Sequence, residues 1–292
     1  MWAIGVLYFL FALVFIVAKS ALCYASPIFF VGLRMVVGGA LLIGTQWLRG
    51  QSVRIAARDL IPFAGLALIH IYIPYVTEFV ALADVSAAKA AIFYNLSPFL
   101  TALSLWFLHG DRLNHRQIIG MLIGFIGFMP LIWQHLPTEH EVIFMLSGAE
   151  LLLFASVIAS VFGWIALKAL VKRGYSPILV NGVAMLVGGL GALVTAAGVE
   201  HVYVNNWQLL GVWTVASILL GNVICYNLYG FLLAHHSPTL LSFAGFLCPL
   251  FTALLQWALF GELVTWHFWV TLSTVILGLY LFSAPKKSID TI

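Results

Sequence analysis

The chain has 292 residues, of which 63% are hydrophobic and only 8% are charged, and its formal net charge is +3. Soluble domains carry about 25% charged residues, so there are too few charges here to cover the surface of a soluble enzyme. Intrinsic disorder is excluded as well, because disordered chains combine low hydrophobicity with high charge.

Glycine, proline and charged residues divide the chain into apolar segments of about 20 residues, the length a helix needs to cross a hydrocarbon core. We therefore predict an all-α polytopic membrane protein with ten transmembrane helices. No basic residue precedes the first segment, so we expect no cleaved signal peptide. The predicted helices cover residues 2–22, 27–48, 60–82, 85–108, 116–134, 147–170, 176–198, 207–233, 238–260 and 265–284.

The basic residues predict the orientation of the chain, because cytoplasmic loops of membrane proteins are enriched in lysine and arginine. With a cytoplasmic N-terminus, only Lys19, Arg34 and Lys89 lie at or inside helices near the outer side. We expect a bacterial inner-membrane protein with both termini in the cytoplasm, an outer loop at 135–146 and a cytoplasmic tail at 285–292. The ten other basic residues all fall on the cytoplasmic side: Arg49, Arg54, Arg58, Arg112, Arg116, Lys168, Lys172, Arg173, Lys286 and Lys287.

The two halves of the chain, 1–134 and 147–284, repeat each other at an offset of 150 to 151 residues. Shared proline, tryptophan and glycine–acid positions at one offset favour a duplication. The matched positions include Ser26-Pro27 with Ser176-Pro177, Gly38-Gly39 with Gly188-Gly189, Tyr75 with Tyr226, Pro98 with Pro249, Trp106 with Trp257, and Gly110-Asp111 with Gly261-Glu262.

Each half contains five predicted helices, so the second half must enter the membrane in the opposite sense from the first. Inverted repeats of this kind are typical of secondary transporters, whose substrate site lies near the midplane between the halves. A duplicated structural bundle without transport is the alternative.

The sequence resembles the drug/metabolite transporter superfamily, with two EamA-type repeats that cover essentially the whole chain. The resemblance rests on Arg34 early in the second helix, on the small residues of 81–104 that lead to Pro98, on the two glycine–acid pairs and on a glycine-spaced fifth helix. Asp111 departs from the family, which usually has Glu at that position, and Ala184 stands at the repeat position of Arg34. The resemblance implies a central cavity lined by the first, third, fourth, sixth, eighth and ninth helices, with the fifth and tenth more peripheral.

Two charged residues lie inside predicted helices at similar depth. Arg34 lies about 10 Å from the outer end of the second helix at 1.5 Å per residue, and Glu78 lies near the outer end of the third. Charges in the bilayer usually face a cavity or a partner, so we predict an interaction between them. Whether it is a structural pair or part of the substrate site stays open.

The third helix adds Tyr75 on the same face as Glu78, with His70 near the midplane. Pro74 removes one backbone hydrogen bond and would free a carbonyl near this face. His70 could carry a coupling proton, because the unperturbed pKa of histidine is about 6.5; a core histidine with satisfied hydrogen bonds is the alternative.

Other polar and aromatic residues complete the candidate site. Asn95 could bind a zwitterion or join helices, and Trp164 could stack on a flat or cationic ligand or anchor at the interface. Pro98 and Pro249 are hinge candidates, because broken helices at matched positions of the two halves point to the moving region. The remaining candidates are Tyr94 on the fourth helix, Ser156 and Ser160 on the sixth, and Asn222, Tyr226 and Tyr229 on the eighth.

No sequence motif indicates an enzyme, a metal site, a cofactor or a nucleic-acid surface. We predict a secondary transporter of small polar metabolites, with amino acids or amine-bearing compounds such as S-adenosylmethionine as substrates. A proton or a counter-substrate is the expected coupling partner. Drug efflux is one alternative, and an intramembrane enzyme on a lipid-linked substrate is another.

Overall fold

The structure is a computed structural model that describes residues 2–81, 84, 90, 93–133, 147–261 and 266–283, with the side chains of 131–133 and 260 left out. The predicted outer loop 135–146 and tail 285–292 lie outside the described residues, as do Lys89 and Glu262.

The described residues are almost entirely helical. We number the helices in chain order and treat α3 and α8 as continuous helices with internal changes of geometry. Apart from α4, whose predicted first part lies largely outside the described residues, every helix begins and ends within three residues of its predicted boundaries. The helices are α1 (Trp2–Leu22), α2 (Pro27–Leu48), α3 (Ala57–Ala81), α4 (Ser97–His109), α5 (His115–Trp133), α6 (Gly148–Lys172), α7 (Pro177–Val199), α8 (Trp207–His235), α9a (Pro238–Ala244), α9b (Leu247–Phe260) and α10 (Trp266–Ser283).

Eight helical segments of the described chain are long and apolar enough to cross a membrane: α1, α2, α3, α6, α7, α8, α9 and α10. Their outward faces carry large apolar side chains such as Phe15, Val194 and Tyr280. A soluble protein rarely exposes such a surface over a wide area, whereas lipid covers it favourably. The chain is an all-α, multi-pass membrane protein.

The helices α2 and α7, which occupy equivalent places in the two repeats, pack closely through their glycines. A Cβ on Gly39 would lie 2.5 Å from the backbone nitrogen of Leu186, and a Cβ on Gly189 would lie 2.8 Å from the nitrogen of Val36. Leu186 is the repeat mate of Val36, so the same contact is made twice with the halves exchanged. Reciprocal contacts of this kind are the mark of a two-fold interface, here a pseudo-two-fold axis within one chain.

The helices α5 and α10, also repeat mates, form a second close pair. A Cβ on Gly120 would lie 2.6 Å from the Gly278 carbonyl oxygen, and a Cβ on Gly278 would lie 2.5 Å from the Gly120 carbonyl oxygen. Small residues let helix backbones approach in this way. Both pairs join the first half of the chain to the second.

The repeat extends to irregularities of the helices. Residues Ala67–Tyr72 of α3 and Ile218–Cys225 of α8 have π-helical geometry, and their starting positions differ by 151 residues. The turn at 95–96, before α4, and the turn at 245–246, between α9a and α9b, differ by 150. Because π-helical turns are frequent at functional sites, we expect the functional site to lie near these matched segments of α3 and α8.

The ends of α2 and α7 are tied to the opposite half. At the start of α2, the carboxylate of Glu200 accepts hydrogen bonds from the backbone N–H groups of Ile28 and Phe29, at 2.9 and 3.0 Å. At the start of α7, Arg173 lies 2.5 Å from Asp59, which also accepts a hydrogen bond from Tyr175. The halves are thus joined at both ends of the α2–α7 pair.

Candidate functional site

The two repeat-mate tyrosines meet at the centre of the molecule. The hydroxyls of Tyr75 on α3 and Tyr226 on α8 are hydrogen-bonded to each other. Because these residues are equivalent in the two repeats, the bond lies at the pseudo-two-fold axis, between the two halves. The backbone of Tyr226 is also bonded to α7, because Nδ2 of Asn181 donates to the Tyr226 carbonyl oxygen at 3.1 Å.

Four rings from α3, α6 and α8 form a cluster beside this bond. The His70 and Trp164 rings meet edge to face at 4.3 Å between centroids, and Trp164 stacks on Tyr229 at 3.8 Å. The Tyr226 ring lies 5.7 Å from His70 and 5.5 Å from Trp164. The rings of His70, Trp164, Tyr226 and Tyr229 are hereafter the aromatic cluster.

His70 fits against α6 only because residue 163 is glycine. A Cβ at Gly163 would lie 2.7 Å from the His70 ring nitrogen Nδ1. His70 is 3% exposed, and both of its ring nitrogens lack a hydrogen-bond partner among the described residues. Buried polar atoms are normally satisfied, so a ligand or water is the expected partner of this ring.

Arg34 lies on the other side of Tyr75. Its guanidinium carbon is 5.2 Å from the centre of the Tyr75 ring and 5.7 Å from that of Phe30. Arg34 is 7% exposed, and its Nε lacks a partner in the part of the chain that the structure describes. A buried guanidinium with an unused donor is suited to an anionic group.

Glu78 and Arg34 lie close enough to interact electrostatically, although no nitrogen–oxygen distance between these two side chains is within 4.0 Å. The described partner of Glu78 is Tyr94, whose hydroxyl oxygen lies 2.9 Å from Oε2. The same hydroxyl lies 2.8 Å from Oγ of Ser156 on α6. Glu78, Tyr94 and Ser156 thus form a polar cluster that is separate from the guanidinium.

The other predicted site residues have different surroundings. Asn222 is packed between the halves, with Nδ2 3.0 Å from the sulfur of Met35 and 3.4 Å from that of Met185. Asn95 is 6% exposed in the turn before α4, and its Nδ2 has no partner among the described residues. Ser160 is half-buried one turn from Trp164.

The hinge candidates lie beside the two helix breaks rather than at them. Pro98 is the second residue of α4, directly after the turn at 95–96, and Pro249 is the third residue of α9b, after the turn at 245–246. A proline in the first turn of a helix removes no helical hydrogen bond. Both prolines therefore lie just after a helix break, and their hinge role stays a prediction.

Two supporting residues on the first helix were not predicted from the sequence. Phe11 packs its ring 6.4 Å from that of Tyr229, and the Tyr8 hydroxyl donates to the Leu241 carbonyl oxygen at 2.5 Å. The resemblance placed the first helix at the cavity, but its almost entirely apolar sequence did not distinguish these side chains from residues that face lipid.

Comparisons with known proteins agree with this architecture. The EamA-like transporter family matches residues 1–133 and again residues 147–284. An S-adenosylmethionine/S-adenosylhomocysteine transporter of Chlamydia trachomatis is 31% identical over 260 residues, which are 87% of this chain and 80% of that protein. The uncharacterized inner membrane transporter YedA of Escherichia coli is 26% identical, over 97% of this chain and 92% of that protein.

A solved crystal structure has the same fold, with a TM-score of 0.76 at 18% sequence identity over 97% of this chain and 94% of that one. The two family matches cover the same two halves as the internal repeat. The helices α2 and α7, which pack together, belong to different halves. The chain is a transporter that belongs to the EamA-like family, within the drug/metabolite transporter superfamily.

Proposed function

We propose that this transporter carries S-adenosylmethionine, S-adenosylhomocysteine or a similar amino-acid-bearing nucleoside across the bacterial inner membrane. The observation that carries the proposal is the 31% identity, over 87% of the chain, to the Chlamydia trachomatis transporter of these two compounds. The polar and aromatic groups of the central site also suit such a substrate.

The polar groups of the site suit the two ends of an amino acid. A substrate carboxylate would be held by Arg34, whose buried Nε has no described partner. A substrate ammonium or sulfonium would be held by Glu78. Arg34 packs against the Tyr75 ring, and Glu78 lies one helical turn after Tyr75, so the two groups would bind one zwitterionic moiety between them.

The aromatic cluster suits the rest of such a substrate. Aromatic faces attract cations and stack on flat rings, each for roughly 0.5–2 kcal/mol. Trp164 is half-buried beside Tyr226 and Tyr229, so an adenine ring could replace the contact that Trp164 makes with Tyr229. His70, with two unpartnered ring nitrogens, could then bond a base edge.

The pseudo-two-fold symmetry suggests how the site opens. We propose ten transmembrane helices in two inverted repeats, with both termini in the cytoplasm, and alternating access by rocking of the halves about the central site. The Tyr75–Tyr226 bond joins the halves at this centre, and movement of the halves would break and remake it.

Transport by reconstituted protein tests the substrate. Liposomes that contain the purified protein and are loaded with S-adenosylhomocysteine should accumulate labelled S-adenosylmethionine, and the recovered label should be unmodified. Trp164→Ala should reduce uptake roughly 2- to 30-fold, because it removes the stacking ring. Trp106→Ala, at an exposed position on α4, is the matched control and should retain uptake.

Three results would change the proposal. Accumulation of amino acids or cationic drugs, but of neither nucleoside, would replace the substrate. A chemically altered product without net movement of label would indicate an enzyme. Equal losses for Trp164→Ala and Trp106→Ala would remove the aromatic cluster from the site.

A further inference from the structure

Three short contacts connect Glu78 to the backbone of its own helix. Glu78 Oε2 lies 2.9 Å from the Tyr94 hydroxyl oxygen, that oxygen lies 2.8 Å from Ser156 Oγ, and Ser156 Oγ lies 2.9 Å from the Pro74 carbonyl oxygen. Each distance is that of a hydrogen bond between two oxygens. Each contact therefore needs one proton between its atoms.

The supply of protons decides which groups donate. The Tyr94 and Ser156 hydroxyls carry one proton each, and the Pro74 carbonyl has none. Ser156 must therefore donate to Pro74, and Tyr94 must donate to Ser156. No hydroxyl proton then remains for the contact between Tyr94 and Glu78.

The carboxyl group of Glu78 must supply the third proton. An ionised carboxylate only accepts hydrogen bonds. With Glu78 ionised, one of these three contacts would therefore have no proton, and the lone pairs of its two oxygens would face each other. A protonated Glu78 donates its O–H to Tyr94, and every contact in the chain then contains one proton.

We propose that Glu78 holds a proton in this conformation and gives it up when a positively charged group of the substrate binds. The proton leaves to water on the side to which the cavity is open, and the substrate cation takes its place beside the carboxylate. The charge at the site is unchanged by the exchange. Over a full cycle, one proton moves opposite to each cationic substrate; this inference rests on the proposed function.

The groups around Glu78 fit both states. The described titratable or charged groups that face it are Arg34 from α2, Tyr75 from its own helix and Tyr94, with Tyr226 of α8 reached through Tyr75. On α6, Glu150 lies near the helix start in a capping box with Ser147. Arg34 is the cation that would stabilise the carboxylate after the proton has left.

His70 is less suited to carry this proton. Its ring is buried and both nitrogens lack partners among the described residues. An imidazolium at this position would have two N–H donors without acceptors, and a buried unpaired charge is very costly. Glu78 has an acceptor for its proton in Tyr94.

Proton release on binding tests the proposal. Purified protein in weakly buffered detergent solution near pH 6 is titrated with S-adenosylmethionine, with a pH indicator and a parallel measurement of bound label. At this pH the substrate amino group stays protonated, since α-amino groups titrate near 7.7–8.0. We expect about one proton released per molecule bound, and affinity that falls up to about tenfold for each unit of lower pH.

Glu78→Gln keeps an uncharged group that can donate to Tyr94, so it should bind S-adenosylmethionine without releasing a proton and without this pH dependence. Binding without release in the wild-type protein would overturn the inference but leave the proposed function standing. Release that persists in Glu78→Gln and disappears in His70→Gln would transfer the role to His70. Failure of S-adenosylmethionine to bind at all would overturn the proposed function, and this inference with it.

The hydroxyl chain gives a second test that does not depend on Glu78→Gln folding. Ser156→Ala frees the Tyr94 proton for an ionised Glu78, so the midpoint of the pH profile of binding should move to lower pH. The shift should be about one pH unit, the effect of one hydrogen bond.

Thr101→Val is the control, because the Thr101 hydroxyl donates to the Ser97 carbonyl oxygen of its own helix at 2.7 Å and takes no part in the chain. Its midpoint should equal that of the wild-type protein. No shift in Ser156→Ala, or a shift to higher pH, would overturn the assignment of the proton.

Discussion

Arg34 shows how a single residue can be found from the sequence while its contacts cannot. A charge inside an apolar helix is expensive and implies a cavity or a partner, which is why Arg34 and Glu78 stand out in the sequence. Glu78, the predicted partner, lies close enough to interact electrostatically with Arg34, but the guanidinium lies over Tyr75 and Phe30 and Glu78 is bonded to Tyr94. Depth along a helix can be estimated from residue counts, but the direction of a side chain depends on helix rotation.

The role of Arg34 can be tested with substrates that differ only in the carboxylate. Arg34→Gln should lower the affinity for S-adenosylmethionine roughly 10- to 100-fold, because a charged hydrogen bond contributes about 1.5–3 kcal/mol. Decarboxylated S-adenosylmethionine lacks the group that Arg34 would hold, so Arg34→Gln should weaken its competition for binding less than it weakens the binding of S-adenosylmethionine. Equal loss for the two compounds would mean that Arg34 only maintains the structure.

At the scale of the helices, the repeat determines the packing. Glycines in equivalent segments let helix backbones approach closely, and the structure pairs α2 with α7 and α5 with α10. The π-helical turns of α3 and α8 were not predicted, because the sequences of these two segments differ: His70 corresponds to Gly221. A backbone geometry that both halves share is visible only after the chain has folded.

Alanine substitutions at two glycines of α2 distinguish the effect of helix packing on stability from the effect of helix propensity. Gly39→Ala should lower the thermal unfolding temperature, because its Cβ would meet α7 backbone atoms at 2.5 and 2.6 Å and overpacking costs about 1–3 kcal/mol. Gly44→Ala is the matched control, since nothing lies within 4 Å of its added Cβ. Replacing an open helical glycine by alanine is neutral or stabilising by roughly 0.5–1 kcal/mol.

The measurement is the unfolding temperature of each purified variant in the same detergent, followed by the tryptophan signal. If Gly39→Ala were as stable as Gly44→Ala, the α2–α7 contact would not be as close as described.

For the whole molecule, the positive charges predict an orientation that labelling can check. Cys23 is exposed just after α1, and the prediction places it outside the cell. In intact cells, a membrane-impermeant maleimide should modify a variant that retains only Cys23. A cysteine at the exposed position of Arg54, in a cysteine-free background, should react only after the membrane is permeabilised. The opposite labelling pattern would show that the chain has the opposite orientation in the membrane.

Composition, hydrophobic segments and the repeat determined the fold class and the helix positions, because each follows from local hydrophobicity or from identity between the two halves. The resemblance to EamA-type repeats indicated the transporter family. The sequence also marked Tyr75 and Tyr226 as equivalent residues. Only the tertiary structure decided that their hydroxyls bond, that Gly163 makes room for His70, and that Ser156 and Tyr94 connect Glu78 to Pro74. These contacts join different helices, so they depend on the rotation and approach of each helix, which the packing of the two halves sets and no local pattern encodes.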